Sequence, residues 1–375
     1  MKRATLIFFA LGGLLAFASC RRAAVKEDFV STPNVQLGSN YPMVNSERRV
    51  RVAVVAPYAL SVKLDICGVQ YPLQRRGLRT WVGESDPLDE GFHYYQLQID
   101  GASVPDPSSE YYYGSGRWGS GVDIPSSDQD FYAVKNVPQG QLRSTYYWSE
   151  VRQEMRHIIV YTPAEYDRNP SKRYPVLYLL PGGAENEYSW ARQGHLAQIL
   201  DNLMAGGEAE PFLAVVDNCQ GVKPWDWIED YDEVLAGDLM PMIDSTFRTL
   251  PDAAHRAMAG LSYGGYQTKL TALAHPELFD SIGLFSGGTI TVAEAAEHPG
   301  FIKDDRLVFI SFGSKEIDNP TFGIEEGTDP HLQTEELRAS GVNAVYYLSP
   351  ETHHEWHCWR RSMYQFAKLL FKGRS

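Results

Sequence analysis

The 375-residue sequence predicts an α/β chain in which a doubly wound sheet is preceded by a small β-sandwich. Three observations predict it. Continuous apolar runs of strand length recur from Arg156 to Leu348, with helical stripes between them. Shorter, partly alternating runs punctuated by glycine occupy residues 49–101. The texture breaks between the two at Val137-Pro138-Gln139-Gly140, which places a domain boundary near residue 138.

Ahead of both lies a segment of another kind. Lys2 and Arg3 precede an apolar run from Leu6 to Phe17, followed by Ala18, Ser19 and Cys20. A basic start, a short apolar core and small residues make a secretory signal, too short to span a bilayer. The ending Phe17-Ala18-Ser19-Cys20 resembles a bacterial lipobox, with Phe17 where lipoboxes usually carry Leu. That resemblance implies lipidation of Cys20 and anchoring in the outer membrane, on its periplasmic or outer face. A plain cleaved signal with an incidental Cys is the alternative. Residues 21–44, rich in Ser, Pro, Asn and Gly, read as a tether.

Residues 45–137 carry the sandwich. Arg51–Val55, Ser61–Asp65 and Phe92–Ile99 alternate over strand length, and Pro57, Gly68, Gly77, Gly83, Gly91 and Gly101 separate them. Alternation between turn signals means half-buried strands. The stretch Gly91-Phe92-His93-Tyr94-Tyr95 through Pro105-Asp106-Pro107 resembles the early-set, immunoglobulin-like modules placed before glycan-active catalytic domains. Such a module binds glucan or only packs on the enzyme, and packing is the reading favoured here. Tyr111-Tyr112-Tyr113 and Trp118, in a Gly/Ser-rich stretch, are expected to cover the domain interface.

Residues 138–375 carry the sheet. Arg156–Tyr161, Tyr174–Leu180, Phe212–Val216, Ser281–Phe285, Leu307–Phe312 and Ala344–Leu348 are continuous apolar runs, which fit strands covered on both faces. Leu235, Leu239, Ile243 and Phe247 make one helical stripe, with Pro241 expected to bend it. Trp359, Met363, Phe366 and Leu370 make another.

Charge and cysteines narrow the partners. A formal net charge of −13 opposes binding to nucleic acid or to an anionic membrane surface. With Cys20 lipidated, Cys67, Cys219 and Cys358 form an odd set, which is no disulfide scaffold. Cys219 and Cys358 could pair or stay as buried thiols.

The chemistry gathers around one serine. Arg256-Ala257-Met258-Ala259 leads into Gly260-Leu261-Ser262-Tyr263-Gly264-Gly265, and a helical pattern follows from Tyr266 to Ala274. Gly-x-Ser-x-Gly between strand and helix lifts the serine hydroxyl clear of an α/β-hydrolase sheet. The hydroxyl needs a base, and chain order in that fold is Ser, acid, His. His353, His354 and His357 follow the last strand-like run. Metal chelation by this cluster is open in principle, but no zinc-spaced Cys or carboxylate set accompanies it. No metal and no cofactor is expected.

The segment His354-Glu355-Trp356-His357-Cys358-Trp359-Arg360 resembles the His-Glu-Trp…Trp-Arg signature of esterase D-like enzymes, which include carbohydrate esterase family one. The resemblance implies His354 as base and places the acid of Gly313-Ser314-Lys315-Glu316 at Glu316, with Asp318 as runner-up. It also implies an oxyanion hole from the amides of Tyr263 and Gly183, the latter in Leu180-Pro181-Gly182-Gly183, where Pro181 replaces a usual His. The likeness runs from about Val137 to the C-terminus and is nearest to esterase lipoproteins of xylan-degrading gut bacteria. It implies release of feruloyl or acetyl groups from plant cell-wall polysaccharide. Trp190, Trp225, Trp227 and Trp356 are candidates for stacking on the acyl group or a sugar, or for core. A siderophore esterase of the same fold and a non-catalytic glycan-binding lipoprotein are the competing readings.

Overall fold

Alternating runs can cover only one face of a sheet, so the first part of the chain has to fold as two sheets against each other. The computed structural model describes residues 25–220, 230–303, 305–318, 324 and 327–373. The signal segment and Cys20 lie outside the described residues. Eleven strands come first: β1 (Val30–Ser31), β2 (Met43–Val44), β3 (Val50–Val55), β4 (Val62–Ile66), β5 (Val69–Pro72), β6 (Gln74–Arg76), β7 (Thr80–Glu84), β8 (Gly91–Ile99), β9 (Ala102–Val104), β10 (Tyr111–Gly114) and β11 (Arg117–Ile124). They form sheets ordered β1-β2-β3-β7-β6 and β10-β11-β8-β4-β5, with β9 on β8. Val50, Val52 and Val54 of one sheet share a core with Val62, Leu64, Leu97 and Val122 of the other.

One expectation changes here and another is met. The stretch read as a tether joins the sandwich: Val30 and Ser31 pair with Val44 and Met43, and buried Asn34 donates to Tyr112 Oη and Asp123 Oδ2. A two-residue strand leaves no alternation to read, so composition alone suggested free chain. Tyr111-Tyr112-Tyr113 and Trp118 form the β10–β11 hairpin and, as expected, face the sheet domain: Trp118 packs against Tyr188, and the Tyr113 carbonyl accepts from Gln193 Nε2 at 2.8 Å. The hairpin's turn residues Ser115 and Gly116 both have positive φ, at 51° and 74°.

The second part builds one sheet of eight strands: β12 (Gln141–Ser149), β13 (Glu154–Thr162), β14 (Val176–Leu180), β15 (Leu213–Asp217), β16 (Arg256–Leu261), β17 (Ser281–Phe285), β18 (Leu307–Gly313) and β19 (Asn343–Ser349). Their order is β12-β13-β15-β14-β16-β17-β18-β19. β13 is antiparallel to both its neighbours, and every pairing from β15 to β19 is parallel. This is the α/β-hydrolase sheet. Its helices are α1 (Leu196–Ala205), α2 (Tyr231–Glu233), α3 (Met240–Thr246), α4 (Tyr263–Ala274), α5 (Val292–Glu297), α6 (Ser314–Asp318), α7 (Pro330–Ala339) and α8 (Trp356–Ala367).

Successive strand residues point to opposite faces, so each central strand feeds two cores. Leu177, Leu179, Ala214 and Val216 pack under α1 and α8 with Ile199, Leu203, Met363 and Phe366. Val176, Tyr178, Val215 and Met258 pack on the other side with Leu235, Leu239 and Ile243. Between α2 and α3 the helix widens into a π-turn over Val234–Leu239, and Pro241 stands in the first turn of α3. Proline has no N–H to return to the carbonyl of Gly237, so the ladder loosens just ahead of it.

The two parts are joined by buried polar contacts. Fully buried Arg360 on α8 donates to Asp123 Oδ1 on β11 at 2.7 Å and to the Gln193 carbonyl at 2.7 Å. Beside it, Arg361 reaches Asp128 Oδ2 at 2.7 Å. The sandwich is therefore ion-paired to the helix that begins at the His354 loop.

Candidate active site

The turn between β16 and α4 has room for glycine alone on either side of Ser262. A Cβ on Gly260 would lie 2.3 Å from the Gly264 backbone, and one on Gly264 2.3 Å from the Pro181 carbonyl. Ser262 itself is held at φ 51° and ψ −119°, a conformation costing about 1–3 kcal/mol for a side chain with a Cβ. Its amide donates to the Phe285 carbonyl at 2.8 Å, which pins the strained residue to β17.

His354 comes from the loop after β19. Its Nε2 lies 2.9 Å from Ser262 Oγ and its Nδ1 2.6 Å from Glu316 Oε1. Glu316, on α6 just past β18, is fully buried. Its other oxygen accepts from the Gly313 amide at 2.6 Å and from Ser286 Oγ at 2.8 Å. Ser286 in turn accepts from Trp359 Nε1 at 3.1 Å. A carboxylate so held fixes the imidazole with Nδ1 as donor and Nε2 free to accept a proton from the serine. The contact with His354 is made by Glu316; Asp318 ends the same helix, and its side chain lies outside what is described.

The other two histidines of the cluster stand elsewhere. His353 is about half exposed, with Nε2 3.7 Å from Asp89. His357 is buried, its Nε2 3.2 Å from Ser126 Oγ and 3.1 Å from Asp128. Burial, with the Arg361 charge nearby, pushes its pKa down to about 4.

On the far side of Ser262 runs the turn after β14. A Cβ on Gly182 would lie 3.6 Å from Ser262 Cβ. The Gly182 amide donates to Glu185 Oε2 at 3.2 Å, and the Ala184 amide to Gln220 Oε1 at 2.6 Å. Gln220 Nε2 returns a bond to the Gly182 carbonyl at 2.9 Å. Half-buried Gly183 is the peptide between these two anchored ones. Tyr263 opens α4, where the first amides of a helix point outward from its N-terminus. Glu185 is buried, and desolvation raises its carboxyl to about 7 against the donors that favour its charge.

Trp190 and Trp356 are core residues and do not line the cleft. Trp190 is fully buried and donates to the Leu180 carbonyl at 2.9 Å; Trp356, 2% exposed, donates to Glu185 Oε1 at 3.0 Å. Edge-on contacts run from Trp190 to Trp356 (5.2 Å between centroids), on to Trp359 (5.3 Å) and to His354 (5.1 Å). The apolar bulk that suggested a stacking surface buttresses the base from behind. Trp225 and Trp227 lie outside the described residues. A pocket of about 270 Å³ opens at Gly287 and Gly288, lined by Tyr266, Thr289, Thr291 and Gln333; a Cβ on Gly287 would lie 3.0 Å from the Ser262 carbonyl.

Sequence reading missed Ser286, Glu185, Gln220 and Tyr94. Glu185 carried a legible signal, a carboxylate directly after the apolar, glycine-rich run Pro181-Gly182-Gly183-Ala184. Cys219 and Cys358 are separate buried thiols, facing the Pro181 carbonyl and Glu316 respectively.

The family described as "Putative esterase" matches residues 149–368. Over 361 residues, 92% of the chain, the protein is 42% identical to an endo-1,4-beta-xylanase/feruloyl esterase of Xylanibacter ruminicola, 48% of which is covered. It is 26% identical over 241 residues to endo-1,4-beta-xylanase Y of Acetivibrio thermocellus, covering 58% of this chain and 22% of that one. The chain spans less than half the length of these relatives. Among solved structures it is similar to a CE1 ferulic acid esterase of Anaeromyces mucronatus, with a TM-score of 0.55, 20% identity, and 67% of this chain and 97% of that chain covered. It is also similar to the enterobactin esterase of Shigella flexneri, with a TM-score of 0.60, 16% identity, and 87% and 94% covered. At such identities the likeness is one of fold. Matched over more than half its length, the chain belongs to the "Putative esterase" family.

Proposed function

We propose that the protein is a serine carboxylic-ester hydrolase that releases feruloyl groups, and less readily acetyl groups, from plant xylan. The observation that carries the reading is the unbroken series of contacts from Ser262 Oγ through His354 to Glu316, at 2.9 and 2.6 Å. In this mechanism Ser262 Oγ attacks the ester carbonyl carbon while His354 Nε2 takes its proton. The negative oxygen of the tetrahedral intermediate accepts from the amides of Gly183 and Tyr263. Such donors contribute about 10²–10³ in rate each. His354 then gives its proton to the departing sugar oxygen, leaving the acyl group on Ser262. Water attacks the acyl-enzyme with His354 again as base, and ferulate leaves. Glu316 holds the imidazole and stabilises its cation.

The substrate part of the proposal is supported by the 42% identity to a protein named xylanase/feruloyl esterase, not by the four tryptophans. The basic, apolar and small-residue pattern of residues 1–20 supports export, with Cys20 as the lipidated residue, as part of the same proposal. The sandwich then faces polysaccharide outside the inner membrane, and the membrane is touched through lipid alone.

The test is a panel of methyl ferulate, methyl acetate, acetylated xylan and a catecholate siderophore. The proposal expects kcat/KM for methyl ferulate to exceed that for methyl acetate by about tenfold, the worth of one aromatic contact. A preference for acetyl would replace the feruloyl reading with an acetylxylan one. Cleavage of the siderophore alone would overturn the plant-polysaccharide reading.

A further inference from the structure

The seam between the sandwich and the sheet runs directly behind the turn that carries Gly183. Tyr94, on β8 of the sandwich, crosses the seam and donates its hydroxyl to Glu185 Oε1 at 2.9 Å. Trp356 Nε1 donates to the same oxygen at 3.0 Å, and the other oxygen takes the Gly182 amide at 3.2 Å. The Tyr94 hydroxyl is itself held by Gln193 Nε2 at 2.6 Å. A second contact from the sandwich reaches the same turn: the Gly116 amide, at the tip of the β10–β11 hairpin, donates to the Ala184 carbonyl at 2.8 Å. Ala184 has a φ of 57°, so its peptide is held where a side chain resists being. One strand and one hairpin turn of the sandwich thus fix the turn that borders the nucleophile.

We propose that Tyr94 and Glu185 are positioning residues for ester hydrolysis: together they set the peptide planes of the Gly182–Gly183 turn beside Ser262, so that the sandwich completes the catalytic site of the sheet domain. The proposal rests on the reading of Ser262 as nucleophile and of the Gly183 amide as an oxyanion donor. The physical argument is geometric. Donors act on a developing oxyanion only when they are already aimed at it, and a shift of about 1 Å costs up to about 10²-fold. Gly182 and Gly183 have no side chains to hold the turn, so its aim is set by what bonds its peptides. Three donors converge on Glu185, which satisfies the ionised form. A protonated carboxyl spends one oxygen on its own O–H and leaves one of the three without an acceptor. Facing Glu185 are the Tyr94 hydroxyl from β8, the Trp356 indole from α8 and the amide of its own turn; Tyr94 is the titratable group among them. Burial raises this carboxyl to about 7.

The experiment uses the full chain with 4-nitrophenyl acetate as substrate and phenylboronic acid as a mimic of the tetrahedral intermediate. Tyr94→Phe and Glu185→Gln are each expected to lower kcat roughly tenfold with KM unchanged, less than the loss of a whole donor. The inhibition constant for the boronic acid should rise by the same factor, because it too needs the oxyanion donors. The double variant should be no slower than the slower single one, since both act through one contact. In the wild type the acid limb of log kcat against pH should be steeper than one proton, and in Glu185→Gln it should fall to one. A lower melting temperature with kcat, the boronate constant and the limb all unchanged would overturn the proposal and leave Tyr94 a structural contact. If Tyr94→Phe fails to fold, Glu185→Gln decides by the same readings, since it leaves the sandwich intact. A wild-type protein that neither cleaves the ester nor binds the boronate would instead remove the serine-esterase reading, and this proposal with it.

Discussion

The two flanks of Ser262 are built on different plans. On the His354 side every partner belongs to the sheet domain: Glu316 follows β18, Ser286 follows β17, and Gly313 ends its strand. On the Gly183 side the supporting carboxylate, Glu185, is held in part by Tyr94 of the sandwich. Both carboxylates are buried and both accept from a backbone amide and a hydroxyl. They differ in what they serve. Glu316 meets an imidazole that becomes a cation during the reaction, so its charge is useful and compensated. Glu185 meets only neutral donors, and burial moves its carboxyl up to about 7. A charge kept for chemistry and a charge kept for shape are thus distinguished by whether a cation can form beside them.

Substitutions can sharpen that contrast, beginning with the nucleophile both flanks share. Ser262→Ala should lower kcat by about 10⁵–10⁶ with the circular dichroism spectrum unchanged. Glu316→Ala should lower kcat by about 10⁴, while Asp318→Ala stays near wild type, because Glu316 is the residue that reaches His354. An inverted ranking would move the acid to Asp318. Across the seam, Arg360→Ala leaves Asp123 buried without its guanidinium, and chemical denaturation should report a loss of about 3–5 kcal/mol. A change below about 1 kcal/mol, the size of an exposed pair, would mean that the seam is wet.

The smallest expected effect is on stability against pH. Glu185, buried, and Glu355, half-buried, are acids raised from 4.5 to about 7 and about 8, in both cases chiefly by desolvation. The folded chain therefore keeps protons that the unfolded chain releases. Their contribution is full below about pH 4.5 and is lost as pH rises through 7 and 8. His357, lowered to about 4, works the other way below 6.5, so the decline should show between about pH 6.5 and 8. Thermal melts across that range should fall in the wild type and flatten in Glu355→Gln. A melting temperature that rises from pH 6.5 to 8 would reverse the assigned directions.

How much of this could be read from the chain depended on which forces left a mark in it. Strands covered on both faces had to be apolar, so β13 to β18 were legible, and the edge strand β19 was legible because Ala344–Leu348 stays an apolar run; β12, an edge strand written Gln-Leu-Arg-Ser-Thr-Tyr-Tyr-Trp-Ser with mostly exposed side chains, was not. Gly260 and Gly264 were legible because sterics admit nothing else there. Residues of the His354 signature were found by resemblance, yet the signature hid two structural parts: Trp359 backs the imidazole and Arg360 clamps the sandwich. Glu185 and Tyr94 lie 91 positions apart in the sequence, and nothing local in either announces the other. Large aromatics misled for a related reason. Trp190 and Trp356 are as apolar in a core as on a cleft, and burial alone separates the two uses.

The central claim, that His354 and Glu316 activate Ser262 for attack, is tested most directly by labelling the protein with a fluorophosphonate and mapping the modified peptide. Only a serine hydroxyl with a seated base reacts quickly with such a reagent. One label per chain, on Ser262, lost in His354→Ala and slowed strongly in Glu316→Ala, is the predicted result. A label on another residue, or equal labelling in His354→Ala, would contradict the account.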